Sequence, residues 1–339
     1  MRIRSAAPLL ATLLTFAAPA VMAAEKVLDR SFPVTPGGLL TVNADGADVV
    51  VAGGDAEQVV VHIAVTGSQK NVDALKLSAQ PSADGVKVEA LRPSSNWLGM
   101  SWSMGNMNAR IKVTVPKRYR VELKTSGGNL SVNDLQGDAS GKTSGGDVEL
   151  QNVTGKVQMS TSGGNMKVAH ITGDVKLNTS GGDIVASTVQ GAIDAETSGG
   201  SVHFDSIDGP TRARSSSGDI VANTIHGDTD VDTSGGDVRL LGVDGKIHAS
   251  TSGGNVHCVL VGANRGISAS TSGGNISLQV AKDITATLDA SSSGGKVSSE
   301  LPVSVSTASG KRLSGPINGG GEPIYARTSG GDIEIRVSR

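Results

Sequence analysis

The tetrapeptide Thr-Ser-Gly-Gly, or a near copy, recurs along this chain at a fixed interval, which dictates a repeat architecture. The first glycine of successive copies falls at Gly127, Gly145, Gly163, Gly181 and Gly199; Ser217 takes that place in a degenerate copy, and Gly235 and Gly253 follow. Each of these steps is 18 residues, and later copies at Gly273, Gly294 and Gly330 come after steps of 20, 21 and 36. A fixed period means one unit stacked on itself, each copy burying its apolar face against its neighbours.

Residues 146–163 form one period of two nine-residue halves, Gly-Asp-Val-Glu-Leu-Gln-Asn-Val-Thr and Gly-Lys-Val-Gln-Met-Ser-Thr-Ser-Gly. Apolar residues at the third and fifth places of each half alternate with polar ones, the pattern of a strand with one buried face. The prediction is an all-β solenoid of 18-residue rungs with two strands per rung. Stacking by the period aligns Val148, Met166, Ile184, Val202, Ile220, Val238 and Val256. It also aligns Val153, Ile171, Val189, Ile207, Ile225, Val243 and Val261, and two further columns headed by Val157 and Met159. A flexible Gly-Ser linker has no reason to keep such columns. About a dozen rungs would make a rod roughly 55 Å long.

The polar positions suggest structural roles. Lys176, Asp194, Arg212 and Asp230 share an outward column and alternate in sign, an arrangement mildly favourable across adjacent strands. The Gly-Gly pair is expected to turn the chain through positive φ, which only glycine reaches without steric cost. The threonine before it has inward parity, so its hydroxyl is expected to bond to backbone or to its stacked neighbours.

Composition narrows the function classes. With 46 glycines among 339 residues and 2% aromatics, buried surface must be aliphatic and thinly spread. A formal net charge of −2 offers no basic face for nucleic acid. Arg2 and Arg4, an apolar stretch over residues 9–18 and Val21-Met22-Ala23 read as a signal peptide spanning 1–23. Its removal takes away two arginines and shifts the charge from −2 to about −4. The expected location is the periplasm or the cell surface. The single cysteine, Cys258, excludes an intramolecular disulfide and occupies an apolar column, where a buried thiol is expected.

Residues 24–108 read as an irregular, strand-rich cap and residues 109–339 as the repeat stack. Strands are expected over 39–42, 47–51, 59–65 and 86–88, with a short helical turn within 71–77. At the other end the last strand, 332–337, is read as an edge whose Glu334 and Arg336 discourage pairing. The segment 94–108 holds both tryptophans. Its Trp97, Leu98, Met100, Trp102, Met104 and Met107 form the candidate interaction site, either plugging the stack or meeting a partner or membrane surface. Thioethers beside tryptophan are also a Cu(I)-like donor set.

Other motifs fail on spacing. Gly137-Asp138-Ala139-Ser140-Gly141-Lys142-Thr143 resembles a phosphate loop but has three residues between its glycines where four are needed, so no nucleotide is expected. The column after Gly-Gly (Asn129, Asp147, Asn165, Asp183, Ser201, Asp219, Asp237, Asn255, Asn275) supplies too few carboxylates for calcium. His203 and His257 share a column three rungs, about 14 Å, apart, too far to share a metal. No cofactor is expected.

The strand-rich start, the run Val115-Pro116-Lys117-Arg118-Tyr119-Arg120-Val121-Glu122-Leu123-Lys124-Thr125-Ser126-Gly127-Gly128 and the repeated Ser-Gly-Gly-Asp-Val turns resemble the DUF4097 β-strand-repeat proteins, also called adhesin-like. That resemblance, over about residues 30–339, implies an exported bacterial envelope protein and offers no catalytic residues. The reading is a non-enzymatic binding scaffold whose ligand is a protein, a glycan or a membrane surface. The alternative is a carbohydrate-active β-helix enzyme with Asp219 and Asp237 as its acids. A third reading, an ice-binding threonine face, conflicts with the inward parity of those threonines.

Overall fold

A computed structural model describes residues 24–92 and 107–338. Two sheets, of 15 and 16 strands among the described residues, lie face to face and enclose one continuous, mainly aliphatic core that also buries Tyr119 and Phe204. From Arg120–Thr125 to Ile276–Val280 the strands alternate between the sheets. Each pairs in parallel with the strand one rung away, so Val148 lies opposite Met166, Met166 opposite Ile184, and so on to Val256. These residues are buried, as are the columns headed by Val153, Val157 and Met159. The exception is Val261, which is 41% exposed. The ladder shifts between Leu241 and Val243, and Leu260 fills the inward place opposite Val243.

The Thr-Ser-Gly-Gly corner joins the 16-stranded sheet to the 15-stranded one. Thr161 Oγ1 donates to the Gly146 carbonyl one rung below at 2.9 Å and accepts the Gly164 N–H of its own rung at 3.3 Å. Thr179, Thr197 and Thr251 repeat both bonds, and Ser215 does so in the degenerate copy. The glycines do not turn the chain through positive φ, contrary to the sequence expectation; they allow close approach. A Cβ on Gly164 would lie 2.0 Å from the Gly146 carbonyl oxygen, and the same contact recurs up the stack.

Left-handed backbone appears at the opposite corner, at Gly155, Gly173, Gly191, Gly209 and Gly227. It also appears within the strands of the 15-stranded sheet, at Asp134, Asn152, His170, Thr188, Ser206 and Thr224, with φ of 53–58°. Each of these is skipped in the register, so the strand kinks once per rung.

Both ends fold back. At the N-terminal end, Leu39–Ala44 and Asp48–Gly54 stack in parallel on the first Thr-Ser-Gly-Gly rung. Thr125 Oγ1 bonds to the Ala47 carbonyl at 2.9 Å, extending the threonine ladder into this part. Gly85–Leu91 and Asn108–Pro116 form the next layer, and Lys76–Ser82, Gln58–Gly67 and Ala24–Pro33 close it with antiparallel pairing. The short helix Gln69–Ala74 buries Val72.

The C-terminal end corrects the sequence reading. Ile333–Val337 is not an edge: it lies between Ile276–Val280 and Val297–Ser299, paired in parallel with both. Pro323–Thr328 is likewise inserted between Ile267–Thr271 and Ala286–Ser292. Glu334 and Arg336 therefore pair with each other on the outer face and leave the backbone ladder intact.

Candidate functional site

The glycine corner after each strand of the 15-stranded sheet carries one outward residue per rung, exposed except for the half-buried Ala192. That column reads Asp138, Lys156, Asp174, Ala192, Pro210, Asp228, Lys246. The aspartates act on the rung above: Asp138 Oδ1 accepts the Lys156 N–H at 2.9 Å, Asp174 Oδ1 the Ala192 N–H at 3.2 Å and Asp228 Oδ1 the Lys246 N–H at 3.0 Å. Ala192 lies beneath Pro210, so a residue with no acceptor sits where the rung above has no N–H. Two short apolar residues thus interrupt a ridge of charged ones.

Beside this gap run the outward columns of the 16-stranded sheet. Lys176, Asp194, Arg212, Asp230 and His248 lie side by side in register, as do Asn178, Glu196, Arg214, Asp232 and Ser250. Arg212 binds Asp230 Oδ2 through Nε at 3.0 Å and Nη2 at 2.7 Å, while Lys176 approaches Asp194 at 3.7 Å. Arg214 sits 3.9 Å from both Asp230 and Asp232. The neighbouring Asp230 carboxylate raises the pKa of Arg212 above its ordinary value. These pairs are half-exposed and screened by water, so they add little to stability. Ridge and ladder together flank an open groove of about 630 Å³ whose centre is the Ala192–Pro210 gap.

The profile described as Toastrack DUF4097 matches residues 39–228 and 223–336. The chain belongs to the Toastrack DUF4097 family. Several solved structures are similar to this Toastrack chain. A "putative adhesin" of Parabacteroides distasonis is 15% identical over 91% of this chain and 97% of its own, with a TM-score of 0.33. A "putative cell adhesion protein" of Clostridium sporogenes is 12% identical over 92% and 100%, with a TM-score of 0.22. A "putative lipid binding protein" of Parabacteroides distasonis is 12% identical over 92% and 97%, with a TM-score of 0.30. No curated protein matches.

The remaining candidate residues of the Toastrack stack fall into place around the groove or away from it. Trp97, Leu98, Met100, Trp102 and Met104 lie outside the described residues. Met107 is half-buried and packs on the core beside Asn108–Pro116. Asp219 and Asp237 are engaged structurally: Asp219 Oδ1 accepts the Asp237 N–H and Asp237 Oδ1 the Asn255 N–H, both at 2.8 Å, while Arg239 holds Asp237 Oδ2 at 2.6 Å. The whole column after Gly-Gly does this, each side chain accepting the N–H above it, from Asp48 through Asn129, Asp147 and Asn165 to Asn275 and Asp332.

Asp230, Asp232 and His248 bring ligand atoms within 4.8 Å of one another, but Arg212 and Arg214 already neutralise both carboxylates, which disfavours a cation there. Cys258 is buried, and burial pushes its thiol up to about 12, leaving it unreactive. The phosphate-loop look-alike is an ordinary rung: Ala139–Lys142 is a strand and Thr143 Oγ1 bonds to the Gly128 carbonyl. Sequence reasoning tabulated the sign alternation beside the groove but missed the corner column that shapes it. Ala192 and Pro210 were visible there as the one break in a run of charges.

Proposed function

We propose that this protein is an exported envelope scaffold that binds a ligand on the outer face of its 16-stranded sheet and catalyses no reaction. The groove carries the reading: about 630 Å³ lies within the range of ligand sites, roughly 300–1,000 Å³, and the parallel ladder beneath it is a rigid support. Export rests on the signal-like residues 1–23. Among the described residues no helix is long and apolar enough to cross a membrane. The carboxylates that a glycosidase reading requires, Asp219 and Asp237, are held by backbone N–H groups and Arg239, a bonding state suited to fixed structural anions.

Adsorption of the purified protein to outer-membrane, peptidoglycan and surface-polysaccharide fractions tests the proposal. Saturable adsorption to at least one fraction is expected, weakened by combined Lys156→Glu and Lys246→Glu substitutions at the groove rim. Failure to adsorb to any fraction, or adsorption indifferent to the rim, would contradict it.

A further inference from the structure

We infer that the gap at Ala192 and Pro210 is a subsite for a neutral, hydroxyl-rich ring, the repeating unit of a saccharide; this rests on the scaffold reading above. The charges facing the groove balance. Lys156, Lys176, Arg212 and Lys246 are matched by Asp174, Asp194, Asp228 and Asp230, with His248 beside them. Such a surface attracts neither polyanions nor polycations at a distance.

At close range donors and acceptors interleave around an apolar floor. Asp174 and Asp228 each spend Oδ1 on a backbone N–H, leaving Oδ2 available. Asp194 lies 3.7 Å from Lys176 and within electrostatic reach of Arg212. Lys156 and Lys246 make no ion pair among the described residues. A carboxylate or ammonium ligand would meet a like charge one rung away, about 4.8 Å. Hydroxyl groups both donate and accept, so a polyol satisfies adjacent Asp and Lys positions at once, while the carbon face of its ring covers Ala192 and Pro210. From Asp174 to Asp228 is three rung steps, about 14 Å, enough for a ring with its neighbours running along the rod.

An extended peptide fits less well. The strands beneath the groove pair on both sides, so their face offers no open backbone edge to a peptide. The gap also departs from the local rule. Continuing the ridge would give the rung at 210 the side-chain-to-backbone bond that Lys156 and Lys246 receive, and such departures mark functional places.

The test fills the gap with the ridge's own chemistry. Ala192→Asp combined with Pro210→Lys rebuilds the Asp–Lys step present at Asp138–Lys156 and Asp228–Lys246; the added bond is set against the like charge of Asp174 one rung below and the loss of a proline, so the variant is expected to fold and melt within a few degrees of the parent. The probes are cellotetraose, maltotetraose, mannotetraose and chitotetraose, titrated calorimetrically into the purified protein, with dextran sulfate as the anionic control. At least one neutral tetrasaccharide should bind with a Kd of about 1 mM or tighter and lose about tenfold or more in the filled variant. No binding by any tetrasaccharide, binding unchanged by the filling, or stronger binding of dextran sulfate would each overturn the inference. Envelope adsorption is measured alongside. If it persists without saccharide binding, the subsite is wrong and the scaffold stands; if both are absent, both fall.

Discussion

Gly163 and Gly164 are adjacent and have opposite tolerances. A Cβ on Gly163 would meet nothing nearer than 3.8 Å, whereas on Gly164 it would strike the Gly146 carbonyl at 2.0 Å. Gly163→Ala should therefore change stability by less than about 0.5 kcal/mol, and Gly164→Ala should cost about 3 kcal/mol or more, read from denaturant midpoints. Comparable losses in the two variants would refute the close-approach explanation. The sequence already hinted at the distinction, because Ser217 replaces the first glycine while Gly218 is retained. What it did not reveal was the reason, since spacing alone cannot separate a glycine needed for positive φ from one needed for contact. The left-handed column was hidden for a related cause. Asp134, Asn152, His170, Thr188, Ser206 and Thr224 are all polar, and Asp, Asn and His favour left-handed backbone, but polar residues also fill the ordinary outward places of a strand, and a glycine (Gly242, φ 83°) appears only at the seventh place. Among the histidines, His257 has its pKa lowered by burial, then by Arg239 and Arg336. Because the unfolded chain then binds the proton more tightly, His257 contributes stability that is present above pH about 6.5 and lost as pH falls through the lowered folded value. His257→Gln should flatten the thermal-stability profile over that acidic interval; an unaltered slope would show that other groups set it.

At the scale of single elements, the edges decide whether a stack ends or grows. Among the described residues Ala24–Pro33 is the longest open edge, ten residues pairing on one side. Its charges oppose self-pairing. A two-fold antiparallel contact centred on Val27 sets Glu25 against Asp29, one centred on Leu28 sets Lys26 against Arg30, and one centred on Asp29 sets that residue against itself. Like charges directly opposed are destabilising, a recognised protection of exposed strands. Glu25→Lys converts the first register into two Lys–Asp pairs. Sedimentation should then show a concentration-dependent dimer in the variant, and an equal degree of association in variant and parent would rule this out. The opposite end is blunted differently, by Val297–Ser299 and Thr307–Ser309, only three residues each. The charges of residues 24–33 stand in the sequence, but the sequence reading placed no strand there. Its edge position was not legible either, because that depends on pairing with Gln58–Gly67, about thirty residues on.

For the whole molecule, local period and spatial order agree until Ile276–Val280 and then part. The step from Gly273 to Gly294 looks like one more rung, yet the glycine stacked on Gly273 is Gly330, with Gly294 above it. Every rung exposes the same acceptors and donors at its corner, so the threonine and aspartate ladders accept either neighbour. Thr328 Oγ1 bonds to the Gly274 carbonyl at 2.9 Å and Ser292 Oγ to the Gly331 carbonyl at 2.7 Å. Which order wins is settled by the antiparallel excursion Arg312–Ile317, which occupies the outer side of Ala286–Ser292 and leaves its inner side to Pro323–Thr328. No column of the sequence encodes that choice. A rigid stack carrying its ligand face requires each rung to lie in register on its spatial neighbour, and disulfide trapping reads that directly. With Cys258 replaced by alanine, cysteines at Ser277 and Glu334, opposed in register, should oxidise readily, since neighbouring strands lie about 4.8 Å apart and a disulfide spans Cα atoms about 4.4–6.8 Å apart. Cysteines at Ser277 and Ser298, two rungs apart, should stay reduced; preferential trapping of that second pair would contradict the stacking order and the surface built on it.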